Sequence, residues 1–143
     1  MYLYKVSILR VVDGDTVDVD IDLGFSTILK KKRVRLYGID TPESRTRDLE
    51  EKKYGKAAKA FLVECLEGKE VMMKVHDKGK FGRIIGELFV EKIDNEGHPA
   101  FEVAVEQSVN QMLIDNHHAV PYFGQSKEEI KEQHLINRTK INL

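Results

Sequence analysis

Asp13-Gly14 separates two extended runs, and this arrangement leaves the N-terminal part of the chain few ways to fold. From Tyr2 to Val12 the residues favour β-structure, with Leu3, Val6, Ile8, Val11 and Val12 supplying the apolar side chains. After the turn, Thr16-Val-Asp-Val-Asp-Ile-Asp-Leu23 alternates polar and apolar residues at period two. Successive side chains of a strand point to opposite faces, so this stretch is half-buried. The two runs are therefore expected to pair as an antiparallel hairpin.

The rest of the chain extends that start. Lys30-Lys-Lys-Arg-Val-Arg-Leu-Tyr37 reads as a basic, solvated loop that resolves into a third strand. Residues 41–53 are polar and hold Pro42, which predicts an exposed loop. A helix is expected from about Tyr54 to Leu66, because Ala58, Phe61, Leu62 and Cys65 share a face and Gly68 follows as a stop. Glu70–His76 and Arg83–Val90 read as two more strands, joined by a turn at Asp77–Lys80, and Asp94-Asn-Glu-Gly97 reads as a further turn. Ser108-x-x-Gln111 and Ser126-x-x-Glu129 open two late helices in capping-box form. In the last of these, Ile130 and either His134 or Leu135 should face inward. Five short strands, with one helix inserted and two following, predict an α+β protein built on a small closed barrel.

Composition narrows the function. A chain of 143 residues suits a single domain over residues 1–143. The formal net charge of -1 gives no overall positive field of the kind a passive polyanion binder carries, yet leaves room for an enzyme that recruits a cation. Cys65 is the sole cysteine, so a disulfide framework and a cysteine-rich zinc site are both excluded. No apolar run approaches the roughly 18 residues of a membrane span. The start of the chain lacks the pattern of a signal peptide, so an intracellular, cytoplasmic monomer is the expectation.

Acids and cations gather in three runs: Asp13-Gly-Asp-Thr16, Arg35-Leu-Tyr-Gly-Ile-Asp-Thr-Pro-Glu43 and Lys80-Phe-Gly-Arg83. If the second and third strands pair, the carboxylates of Asp15 and Asp40 converge at one sheet edge, with Glu43 close by on the loop. Carboxylates with carbonyl oxygen and water are the ligand set of a hard divalent cation. Asp13 suits a turn-forming hydrogen bond better than a metal. Arg35 sits inside a strand, where it either faces solvent or turns toward the acids to grip a phosphate in bidentate fashion. Arg83 could close the site from the other side. Each run alone also fits a structural role, since Asp-Gly and Thr-Pro-Glu both begin turns. The five histidines show no metal-ligand spacing, and Tyr122 after Pro121 reads first as a packing residue.

These runs resemble the staphylococcal nuclease (thermonuclease) family. The matching stretches are Val12-Asp-Gly-Asp-Thr-Val17, Arg35 to Glu43, Tyr54-Gly-Lys-Ala-Ala58, Lys80-Phe-Gly-Arg83 and, more loosely, Glu132-Gln-His-Leu135. They follow the family's order over most of the chain. The resemblance implies an OB-fold barrel with three helices and a calcium-dependent phosphodiesterase acting on single- or double-stranded DNA, with RNA as a further substrate. It implies Asp15, Asp40 and the Thr41 carbonyl as calcium ligands, and Glu43 as the residue that orients or deprotonates the attacking water. It gives Arg35 and Arg83 the phosphate, Lys80 and Tyr122 softer contacts with the terminal phosphate or nucleotide, and products ending in 3′-phosphate. Phe81 stands where the family often has Tyr, which removes a hydroxyl, and Gly124 stands where a second aromatic would follow Tyr122, so nucleotide affinity is expected to be altered. The stretch between Asp15 and Arg35 is also longer than the family minimum and carries Lys30 to Lys32. Two rivals remain: a non-catalytic OB-fold module that binds nucleic acid or protein, and a calcium-binding structural domain.

Overall fold

Strand β1 (Leu3–Asp13) turns tightly into β2 (Thr16–Asp22), and the pair forms the expected hairpin, with Val6 opposite Ile21 and Val11 opposite Val17. The computed structural model describes residues 3–78, 83–90, 92–93, 99–100 and 108–143. Lys80, Phe81 and the turn expected at Asp94–Gly97 lie outside the described residues. Strand β3 (Ile28–Leu36) pairs with β2, and β4 (Ile39–Asp40) follows at once. After helix α1 (Leu49–Leu66) come β5 (Val71–Lys78), β6 (Ile84–Val90) and the short β7 (Lys92–Ile93) and β8 (Pro99–Ala100). Helix α2 (Val109–Asp115), β9 (Val120–Pro121) and helix α3 (Lys127–Arg138) complete the chain.

The main sheet closes on itself in the order β1-β2-β3-β6-β5, with β1 pairing back to β5. Every neighbour is antiparallel except β3 and β6, which run parallel from Val34–Ile84 to Leu36–Gly86. This is the five-stranded α+β barrel of an OB-fold, and closure leaves the barrel without free edges. Val17, Val19, Val34, Leu36, Met73 and Leu88 fill its interior, all essentially inaccessible to water. Leu62 from α1 and Val109 and Leu113 from α2 close the core on one side.

The helices are set by their caps. Asp48 accepts hydrogen bonds from the amides of Glu50 and Glu51 at 3.1 and 3.2 Å, and those two acids complement the helix dipole. Helix α1 therefore begins at Leu49, inside the stretch expected to be loop, because a polar first turn carries no apolar periodicity. Ser108 and Ser126 cap α2 and α3 as expected, through the amides of Gln111 and Glu129. The basic run also departs from expectation: Lys30, Lys31 and Lys32 belong to β3 itself. Asn110 ties α2 to the barrel. Its side-chain oxygen accepts from the Leu88 amide, and its nitrogen donates to the carbonyls of Tyr37 and Gly86. Among the described residues no helix is long and apolar enough to cross a membrane.

Candidate active site

Val34 and Leu36 point into the barrel, so the strand period sends Arg35 to its outer side. There its guanidinium meets two acids. Nη1 lies 2.9 Å from Oδ2 of Asp15, and Nη2 lies 3.4 Å from Oδ1 of Asp40. Arg35 is placed opposite Thr16 by the β2–β3 register, one residue from Asp15, and the Leu36 amide donates to the Asp15 carbonyl at 2.8 Å. The hairpin and the third strand therefore bring Asp15, Arg35 and Asp40 together.

Each carboxylate is oriented by further partners. Asp15 accepts from the Thr41 amide at 3.2 Å and from the Thr16 hydroxyl at 2.9 Å. Asp40 is held on its far side by Nε2 of His134, 2.8 Å from Oδ2. That histidine comes from α3, and its side chain is only 11% exposed while Leu135 turns outward. The pairing of β4 with β9 sets Asp40 opposite Val120, and the Tyr122 amide donates to the Gly38 carbonyl at 2.7 Å. Tyr122 is thereby set opposite Gly38 at the end of this pairing, and it is 44% exposed.

The loop from Thr41 to Ser44 is pinned from two sides. Asp13 accepts hydrogen bonds from both the amide and the hydroxyl of Ser44. Its carboxylate thus anchors the distant loop, where the sequence suggested only a local turn. Gly55 on α1 lies under the same loop. A Cβ there would collide with the Glu43 carbonyl and come within 2.6 Å of the Ser44 amide. Gly14 is packed in the same way, with room for a Cβ only 2.8 Å from that of Ala58. The helix can approach the loop this closely only because both positions lack a side chain.

Glu43 and Arg83 have exposed side chains, and among the described residues no contact joins either one to the acid pair. Their backbones are nonetheless local to it. Glu43 belongs to the pinned loop. Arg83 precedes Ile84 and Ile85, which pair with Val34 and Arg35 across the parallel ladder. Lys80 lies outside the described residues. His134 is the neighbour of Asp40 to which sequence reasoning gave no role; its signals were the expectation that His134 or Leu135 faces inward and the loose Glu132-Gln-His-Leu135 match.

Two polar atoms here are buried without a hydrogen-bond partner: Nη1 of Arg35 and Oγ1 of Thr41. The first sits within ion-pair distance of Asp15, but off the line of its N–H bonds. Among the described residues no group of three or more His, Cys, Asp or Glu side chains is arranged to hold a metal. The donors available are two carboxylates and neutral oxygens. That set fits a hard cation such as calcium, provided water or substrate oxygens complete the shell, and does not suit a soft metal.

A sequence profile of the family described as staphylococcal nuclease homologue matches residues 33–140. A thermonuclease of Staphylococcus intermedius is 36% identical over 104 residues, covering 67% of this chain and 56% of that protein. A thermonuclease of Staphylococcus hyicus is 34% identical over 102 residues, covering 66% and 56%. A probable staphylococcal-like nuclease of Oryza sativa is 36% identical over 70 residues, covering 49% and 19%. The chain thus spans just over half the length of the two thermonucleases and much less of the rice protein. The profile runs from Arg33 through α3 and so takes in Arg35, Asp40 and the histidine behind it: the chain belongs to the staphylococcal nuclease family.

Proposed function

We propose that this protein is a calcium-dependent nuclease, hydrolysing phosphodiester bonds of DNA and also of RNA. The observation that carries the reading is the Arg35 guanidinium set between the carboxylates of Asp15 and Asp40, at 2.9 and 3.4 Å. Two carboxylates gathered on one arginine bring oxygen ligands for a hard cation beside a planar fork of the kind that binds phosphate.

In this reading Asp15, Asp40 and the Thr41 carbonyl hold the cation, which supplies positive charge against the phosphate oxygens when bound. Glu43 takes the proton from the attacking water. The water oxygen bonds to phosphorus as the bond to the 5′-oxygen breaks, leaving a 3′-phosphate on one fragment, while the departing oxygen takes a proton from solvent and becomes a 5′-hydroxyl. Arg35 stabilises the negative charge that builds on the phosphoryl oxygens, and Arg83, reaching across from β6, stabilises the departing 5′-oxygen. The exposure of Glu43 and Arg83 suits groups that must meet a polymer arriving from solvent. His134 keeps Asp40 turned toward the site by holding its outer oxygen.

The test is an incubation of the purified protein with single-stranded DNA in calcium and in chelator, followed by end-group analysis. Cleavage confined to calcium, with 3′-phosphate ends, is the expected outcome. Intact DNA at every calcium concentration and pH would overturn the enzyme reading and leave a binding module in its place.

A further inference from the structure

Beyond the catalytic centre, the outer face of the hairpin carries a second cationic feature. A groove of about 430 Å³ is lined by Leu9, Arg10, Asp18, Lys31 and Arg33. Its one acid is already engaged: Nε and Nη2 of Arg33 donate to the two oxygens of Asp18 at 2.9 and 3.2 Å. The hydrogen bond from Arg33, and the charges of Arg33 and Arg10, hold the Asp18 carboxyl below its ordinary value against the opposing effect of burial. Asp18 stays ionised but satisfies only one of the three cations. Arg10 and Lys31 have no salt-bridge partner among the described residues, and Lys31 is exposed.

The position of the groove gives it a use. Lys31 adopts a left-handed backbone (φ 54°) where the β2–β3 register shifts, and its amide is tied to Oδ1 of Asp20. This irregularity brings Lys31 to the same groove as Arg33. Arg33 and Arg35 share the outer face of β3 by strand period, about 6–7 Å apart. Lys31, Arg33 and Arg35 therefore follow one another along β3 toward the catalytic centre, with Arg10 beside them on β1, while the facing acids Asp18 and Asp20 are taken up by Arg33 and by Lys30 with the Lys31 amide. A row of this kind matches a chain of phosphates better than a single one.

We infer that this groove binds the phosphate backbone of a single-stranded nucleic acid substrate, a few nucleotides away from the bond being cut. The inference rests on the nuclease reading for its purpose, but its test does not need cleavage. An Arg10→Gln, Lys31→Gln double variant removes the two cations that have no salt-bridge partner among the described residues and leaves the Asp18–Arg33 pair in place. Fluorescence anisotropy with a labelled single-stranded 20-mer in chelator, over a salt series, reads binding alone. Each phosphate contact contributes about 0.7 to the slope of log affinity against log salt for single strands, so the double variant should lower that slope by about 1.4. A Lys127→Gln, Lys140→Gln control, which removes two exposed cations elsewhere, should keep the slope.

Cleavage adds an independent readout. The loss of kcat/KM in the double variant should grow with substrate length, being larger on the 20-mer than on a dinucleotide. An unchanged slope and affinity in the double variant would overturn the inference, as would an equal loss in the control pair. If the wild-type protein cleaves neither substrate, the nuclease reading fails while the anisotropy result still decides the groove.

Discussion

Arg35 lies between two buried residues of a strand, and its outward turn toward Asp15 and Asp40 makes those acids part of one ion-paired unit. Lysine in its place would keep a charge but lose the planar fork that spans both carboxylates. Glu43 differs in kind, since its carboxylate is exposed and free of the acid pair. A role in moving the proton of water therefore separates from a role in holding the cation. Glu43→Gln should lower kcat by about 10²–10⁴, the range for a lost general base, with calcium affinity in calorimetry little changed. Full turnover in this variant would remove Glu43 from the mechanism. Arg83→Ala should cost more than about tenfold in turnover on DNA, as a lost electrostatic stabiliser does. Near-normal turnover would return Arg83 to the surface.

At the scale of elements, α1 acts as the platform for the loop that carries Thr41 and Glu43. Its close approach depends on Gly55, because a Cβ would meet backbone rather than a flexible side-chain end. Gly55→Ala should therefore displace the loop despite the higher helix propensity of alanine. Circular dichroism should still show a folded protein, while calcium affinity and turnover fall together. Unchanged affinity and turnover would show that the loop does not rely on this contact.

What could be read from the sequence follows the same division into local and distant causes. The β1–β2 hairpin and the serine caps of α2 and α3 were legible because period, turn and cap are local signals. The start of α1 was not, since its first turn is stabilised by Asp48 and by charge rather than by an apolar stripe. Lys30 to Lys32 read as loop because three lysines hide a strand whose stability comes from pairing with β2. In the site, Asp15 and Asp40 converge as strand pairing allowed, and Arg35, which the sequence left between solvent and the acids, turns toward them. The clamp from Asp13 to Ser44 and the bond from His134 to Asp40 join residues 31 and 94 positions apart, and only the tertiary fold supplies them.

For the whole molecule, a net charge of -1 means that nucleic acid must be attracted by local features, so binding should weaken steeply with salt. Stability should also depend on pH through His118, which packs against Phe61 with ring centres 4.7 Å apart. Burial, and to a lesser extent the charge of His117, pushes the His118 imidazole below its ordinary value. The unfolded chain then takes up the proton first. The contribution is intact above the ordinary histidine value of about 6.5 and is lost as pH falls below it. The unfolding midpoint should drop as pH falls below about 6.5, and His118→Leu should flatten that drop. Parallel curves for the two proteins would assign the acid sensitivity elsewhere.

The most direct test of the whole account is the calcium dependence of single-turnover cleavage of one single-stranded oligonucleotide, compared between the wild-type protein and Asp40→Asn. The wild type should show cleavage that rises to saturation with calcium and vanishes in chelator, whereas Asp40→Asn should need far more calcium to cut at all. Identical calcium curves, or cleavage that persists in chelator, would contradict a site in which Asp15, Arg35 and Asp40 act together on a phosphate.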